Sequence, residues 1–194
     1  MISWKAWKQR LCIALLLGAA SMQAAIAGPV LSMTATPNPA ALGSTISVDV
    51  KLDDIADLYA YQFTLSFNSA LFQATGGTES GFLQSGGSTV FDAGVVDNVA
   101  GSIAFVYGSL LSPVPGVSGS GMLAHFTFDV IGTGSGLFQL SDVLFLDSGF
   151  GDLALQVQDL TVQANGSTSV PEPAAFWMLG LGLAGIGVMR RRRA

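Results

Sequence analysis

Cysteine, histidine, tryptophan and positive charge are almost missing from the body of this 194-residue chain. Each absence excludes something. The one cysteine, Cys12, stands at the start of an apolar N-terminal run. The remainder therefore cannot rely on disulfides, cysteine catalysis or thiolate metal sites. His125 is the single histidine. A Ser–His–Asp triad would have to be built on it, and nothing in the sequence selects a serine partner. No His-x-x-x-His, phosphate loop or Gly-x-Ser-x-Gly elbow occurs. His125 is therefore read as an outer-face residue of its strand.

Between Gly28 and Val170 Lys51 is the only basic residue, against twelve acidic ones, a net charge of −11. The whole-chain value of −5 conceals this, because seven of the eight basic residues lie at the two ends. Such a surface repels nucleic acid and anionic lipid, so no nucleic-acid partner is expected. Trp4, Trp7 and Trp177 all lie in the terminal segments. Tyr59, Tyr61 and Tyr107 align with faces expected to be core, which counts against sugar stacking on exposed rings.

What is present begins with the two ends. Lys5, Lys8 and Arg10 precede an apolar run, Leu11–Ala20, and the small-x-small triplet Ala25-Ile26-Ala27 follows it. This is the pattern of a secretory signal peptide over residues 1–27, cleaved after Ala27. Cys12 does not follow the apolar run, so a lipoprotein signal is rejected. At the other end Pro171-Glu172-Pro173 precedes an uncharged run over 174–189. As a helix that run would reach about 24 Å, at the low end of what crosses a bilayer. Arg190, Arg191, Arg192 and Arg193 then form a stop-transfer block, with a cytoplasmic tail over 190–194.

This tail resembles the PEP-CTERM sorting signal of Gram-negative bacteria that make extracellular polysaccharide. The resemblance implies an exosortase-type processing enzyme as a partner. It also implies a protein held by its membrane helix before processing, then sorted to the cell surface or extracellular matrix.

The middle reads as all-β. Ile46, Val48, Val50 and Leu52 alternate with Ser47, Asp49 and Lys51, and Tyr59, Tyr61, Phe63, Leu65 and Phe67 alternate with small polar residues. Ile103, Phe105 and Tyr107 repeat the period, as do Met122, Ala124, Phe126, Phe128 and Val130. Four further short runs follow: Leu137–Leu140, Val143–Leu146, Leu153–Val157 and Leu160–Gln163. Turn signals separate the runs at Asn38-Pro39, Gly76-Gly77, Gly86-Gly87, Pro113–Gly116, Gly132–Gly134 and Ser148-Gly149. No stretch has helical periodicity. The expectation is an antiparallel sandwich over 28–164, with residues 165–173 as a linker.

From Leu31 to Ala164 the chain resembles a cohesin domain. The residues that carry this are Ile46–Leu52, Tyr61–Phe67 with its Asn68-Ser69-Ala70-Leu71 corner, Gly121–Val130, and the closing stretch Val143–Val162. The resemblance implies a nine-stranded jelly-roll β-sandwich, flanked here by the signal helix and the transmembrane helix. It implies a non-enzymatic module and a dockerin-like protein partner. Asn68 stands where the family often has aspartate, and either forms the Asx turn.

Paired carboxylates for glycoside hydrolysis are not favoured, since Glu79 is the only glutamate in the domain and the aspartates sit in turn-like contexts. Asp53, Asp54 and Asp57 after a strand, and Asp147 and Asp152 around Gly149 and Gly151, are oxygen-rich enough for calcium, but neither matches an EF-hand. They are read as solvated loops, with no cofactor. Asn165-Gly166-Ser167 fits a glycosylation sequon and is read as linker. The functional expectation is an exported surface or matrix protein that binds a protein or exopolysaccharide. The alternatives are a carbohydrate-binding module in polysaccharide metabolism or a glycoside-acting enzyme.

Overall fold

A computed structural model describes residues 28–166. The signal helix and its cleavage site at Ala25 and Ala27, the Pro171–Pro173 motif, the helix over 174–189 and Arg190–Arg193 lie outside the described residues. Among the described residues no helix is long and apolar enough to cross a membrane.

The strands are β1 (Val30–Thr36), β2 (Ala40–Ala41), β3 (Thr45–Leu58), β4 (Ala60–Phe67), β5 (Phe72–Glu79), β6 (Thr89–Asp92), β7 (Val95–Asp97), β8 (Ser102–Leu110), β9 (Val117–Val130), β10 (Gly134–Leu146), β11 (Gln156–Val157) and β12 (Leu160–Asn165). A four-residue helix, α1 (Gly81–Gln84), lies between β5 and β6. One sheet has the order β11-β1-β3-β9-β5. The other runs β2-β12-β10-β4-β8-β6, with β7 also paired to β8. Among the described residues twelve strands stand where nine were expected, and the excess is the three of two or three residues, β2, β7 and β11.

The alternation that marks the strands also selects the core. Ile46, Val48, Val50 and Leu52 of β3, and Phe126, Phe128 and Val130 of β9, are buried against Tyr61, Phe63, Leu65 and Phe67 of β4. Four rings close one end of this core. Phe138 lies 4.9 Å from Phe72 and 5.1 Å from Phe128, which lies 5.1 Å from Phe67, ring centre to ring centre. Burying each such side chain contributes ~1.5–3 kcal/mol. The Asx turn at the β4–β5 corner forms as the sequence suggests, with the Ala70 N–H donating to Asn68 Oδ1 at 3.0 Å.

Five local expectations fail, each where strand pairing or packing overrides the simple period of two. Phe105 and Tyr107 are exposed, not buried, because β8 bulges at Phe105 (φ 57°). The register against β4 shifts there, and Val106 turns inward in their place. Met122 is likewise exposed, because the β3–β9 register slips between Val50 and Lys51 and Leu123 takes the interior. Gly76-Gly77 is no turn but lies within β5, where a Cβ on Gly77 would stand 2.6 Å from the Phe126 ring. The two runs Leu137–Leu140 and Val143–Leu146 are one strand, bulged between Ser141 and Leu144. Of Leu153–Val157, only Gln156 and Val157 pair as a strand, while Leu153 and Leu155 pack on the core.

Candidate functional site

Because β4 is central in its sheet and its inner face is filled by large side chains, its outer face is left with Ala60, Gln62, Thr64 and Ser66. Neighbouring strands extend these positions into rows across the sheet. One row reads Leu144, Gln62, Tyr107, Asp92, and the next reads Leu146, Ala60, Ser109, Val90. Gln139, Ser66, Ser102 and Asp97 form a third. Tyr107 is 39% and Leu144 42% exposed, one on each side of Gln62. Between the first two rows lies a shallow depression of about 190 Å³, lined by Ala60, Tyr61, Gln62, Tyr107, Gly108, Ser109, Leu144 and Leu146. The bulges created this apolar centre. The unbroken alternation read from the sequence would have buried Tyr107, and no local signal places the bulge.

Below this face the Tyr61 ring passes under Gly108, where a Cβ would stand 2.6 Å away. The Tyr61 hydroxyl donates to the Leu123 carbonyl at 3.2 Å. Burial first, and the charge of Glu79 second, push this phenol well above its ordinary range. Glu79 pairs across β5–β9 with the buried Ala124. Its Oε2 accepts from Gln84 Nε2 and from Thr89 Oγ1, both at 2.8 Å, while Oε1 is buried without a partner.

A second feature occupies one end of the sandwich. Asp53, Asp54 and Asp57, read as a loop, lie within the irregular last turns of β3. Lys51 pairs with Asp53 at 2.7 Å. Asp57 joins three segments. Its Oδ1 accepts the Gly116 N–H at 2.8 Å, and its Oδ2 accepts the Ser148 hydroxyl at 2.7 Å and the Ser148 N–H at 3.3 Å. The hydroxyl bond is the largest influence holding its carboxyl below the usual range, and partial desolvation opposes it. Beside it is an open depression of about 490 Å³ lined by Tyr59, Pro113, Val114, Pro115, Ser148 and Phe150. The Tyr59 hydroxyl donates to the Ser112 carbonyl at 3.0 Å, and its ring meets Phe150 edge-on at 5.6 Å. Sequence reasoning missed this site because its residues come from three loops.

The remaining candidates fall in separate places. Asp147 accepts the Gly149 and Gly151 N–H groups on Oδ1, at 2.8 and 2.7 Å, as a turn former does. Asp152 bridges to Leu146 through the backbone. Among the described residues no three His, Cys, Asp or Glu side chains converge to hold a metal. His125 lies on the outer face of the five-stranded sheet, as expected, with Nδ1 2.6 Å from Asp49 Oδ1. A His–Asp pair is two parts of a triad, and among the described residues no serine or threonine hydroxyl bonds to this ring.

Known proteins agree with this architecture. The cohesin domain family matches residues 31–170, and the PEP-CTERM protein-sorting motif matches 169–193. No curated protein matches the chain. Among solved structures, a non-cellulosomal cohesin from the archaeon Archaeoglobus fulgidus is 20% identical, with a TM-score of 0.57 over 72% of this chain and 92% of that one. The second type II cohesin module of the adaptor ScaA scaffoldin of Acetivibrio cellulolyticus is 15% identical, with a TM-score of 0.60 over 78% and 99%. The sixth cohesin of that organism's scaffoldin B, solved with a dockerin, is 17% identical, with a TM-score of 0.55 over 71% and 99%. The chain belongs to the cohesin domain family and carries a PEP-CTERM sorting motif at its C-terminal end.

Proposed function

We propose that this protein is an exported, non-enzymatic binding module that holds a protein partner on the outer face of its seven-stranded sheet. The observation that carries this is the Tyr107–Gln62–Leu144 row, with two large apolar side chains exposed at the middle of a flat face of small residues. Interfaces draw most of their binding energy from such a centre, ringed by residues that only exclude water. The relative solved with a dockerin supports a partner of that kind. Asp92 and Asp97 lie on the same face, and Lys51, the one lysine or arginine among the described residues, belongs to the other sheet, so a partner that brings its own cations suits this face.

The sorting motif supports an exported, surface-sorted layout. Residues 1–27 serve export and are cleaved after Ala27, with Ala25 and Ala27 as the small residues the peptidase requires. Residues 28–164 form the module and 165–173 the linker with Pro171-Glu172-Pro173. Residues 174–189 hold the membrane, with Arg190–Arg193 on the cytoplasmic side, until an exosortase-type enzyme acts near the motif. The destination is the cell surface or extracellular matrix of a Gram-negative bacterium.

The test is capture from the producing cell's secreted proteins and its exopolysaccharide, using the mature protein with and without calcium. Enrichment of one protein, lost when Tyr107 and Leu144 are truncated, is the expected result. Retention by polysaccharide alone would move the assignment to a carbohydrate-binding module.

A further inference from the structure

We infer that the depression lined by Tyr59 and Phe150 is a receptor for one cationic side chain, arginine above all, of a protein partner. It is distinct from the sheet face, and three observations lead to it.

The first is shape. Two rings and two prolines, Tyr59, Phe150, Pro113 and Pro115, line an open slot of about 490 Å³. Phe150 is 69% exposed, and between two glycines it is the one bulky side chain its loop offers to solvent. A planar guanidinium stacks on such a ring, and an ammonium binds it less well for lack of a flat face.

The second is charge. Asp57 grips Ser148, which lines the slot, and Gly116, which follows Pro115. Those bonds occupy three of its roughly four acceptor positions and hold the carboxylate in place with capacity to spare. Asp147 and Asp152 flank the same loop in sequence. Among the described residues Lys51 is the one lysine or arginine, and it is engaged by Asp53. Aromatic walls beside fixed negative charge favour a cation over a neutral sugar and repel an anionic polymer.

The third is strain. Among the described residues six non-glycine residues adopt positive φ, and three of them hold this slot: Asp57 at 58°, Ser112 at 78° and Phe150 at 62°. Conformations of this kind cost of order 1–3 kcal/mol each and persist where the surroundings over-determine them. Here they hold a ring that stays 69% exposed, with the edge of Tyr59 as its aromatic neighbour.

The position suits a recognition element. The chain leaves the sandwich at Asn165, beside the start of β10, where Gly134 pairs with Ala164. The slot adjoins Leu146 at the other end of β10, through the Tyr59 N–H bond to the Leu146 carbonyl. Twelve residues of strand put about 40 Å between the two ends. The slot therefore sits at the end of β10 away from Ala164 and Asn165.

The experiment is an NMR titration of the full-length protein in detergent micelles, following the Phe150 and Tyr59 ring signals. The probes are N-acetyl-arginine amide, N-acetyl-citrulline amide of the same shape without the charge, and a neutral glucose oligomer. No sheet-face partner is needed, so failure here leaves the docking proposal standing. The arginine probe should shift both rings at millimolar concentration, and citrulline should bind at least several-fold more weakly. Phe150→Ala removes a largely exposed ring and its edge contact with Tyr59, and should raise the arginine Kd by a few-fold to about tenfold. Asp57→Asn, if its spectrum shows it folded, should do the same. The inference is overturned if citrulline matches arginine, if Phe150→Ala leaves the Kd unchanged, if no arginine shift appears, or if the glucose oligomer is preferred.

Discussion

The side chain of Asn98 pairs with both backbone groups of Ala74. Its Oδ1 accepts the Ala74 N–H at 2.8 Å, and its Nδ2 donates to the Ala74 carbonyl at 3.1 Å. Ala74 lies in β5, the edge of the five-stranded sheet, while Asn98 follows β7, which pairs in the other sheet. One amide thus does what a neighbouring strand would do, and ties the two sheets together where the sandwich is open. Edge strands need such covering, since unpaired backbone groups invite association with other chains.

Asn98→Ala should therefore destabilise the domain by ~1–3 kcal/mol, because it strands an N–H of the buried Ala74. Urea denaturation measures this. A loss no larger than a few tenths of a kcal/mol would mean that solvent satisfies Ala74 once the amide is gone.

Asp57 makes stability depend on acid. Its Ser148 hydroxyl bond, with the Gly116 and Ser148 amides, holds the folded-state pKa below the ordinary 3.8 despite partial desolvation. The stabilisation is therefore complete above pH 3.8 and lost as pH falls through the lower folded value. Thermal melts of the wild type and Asp57→Asn should differ near neutral pH and converge in acid. A gap that stays constant down to strongly acid pH would contradict the assignment.

Tyr107→Ala and Leu144→Ala remove exposed side chains. Each should change folding stability by no more than about 0.5 kcal/mol. Each should weaken the captured protein partner by roughly tenfold or more, as truncation at an interface centre does. Surface plasmon resonance against that partner reads the loss, and Thr64→Ala, in the polar part of the face, serves as the control with little expected effect.

Phe138→Ala should be the severest of these changes. The ring touches Phe67, Phe72 and Phe128, all of them buried. Loss of about 3–5 kcal/mol is expected, since the surrounding rings can collapse only partly into the space. A smaller cost in calorimetry would show that the cluster relaxes.

Gly108→Ala should cost ~1–3 kcal/mol by overpacking, because its Cβ would stand 2.6 Å from the Tyr61 ring. Pairing it with Tyr61→Leu should recover part of that loss, and a double-mutant cycle measures the coupling.

Much of this architecture is local and so was legible. A period of two depends only on neighbouring residues, and Ile46–Leu52 and Phe63–Phe67 bury the faces their alternation marks. Asn68 makes its Asx turn with a residue two places on, again within reach of local reading. The PEP-CTERM motif over 169–193 is a contiguous string and needs no fold to be recognised.

Sequence by itself determined the all-β class, the strand faces away from bulges, the charge of −11 over Gly28–Val170, and the sorting tail. Tertiary structure alone decided what the surface presents. A bulge is set by the partner strand, and the one at Phe105 turns Tyr107 outward to make the apolar centre beside Leu144. Asp57 and Ser148 stand 91 residues apart, and Asn98 and Ala74 lie 24 apart. Only the folded chain brings them within 3 Å, because hydrogen bonds act at contact range and distance along the chain carries no record of distance in space.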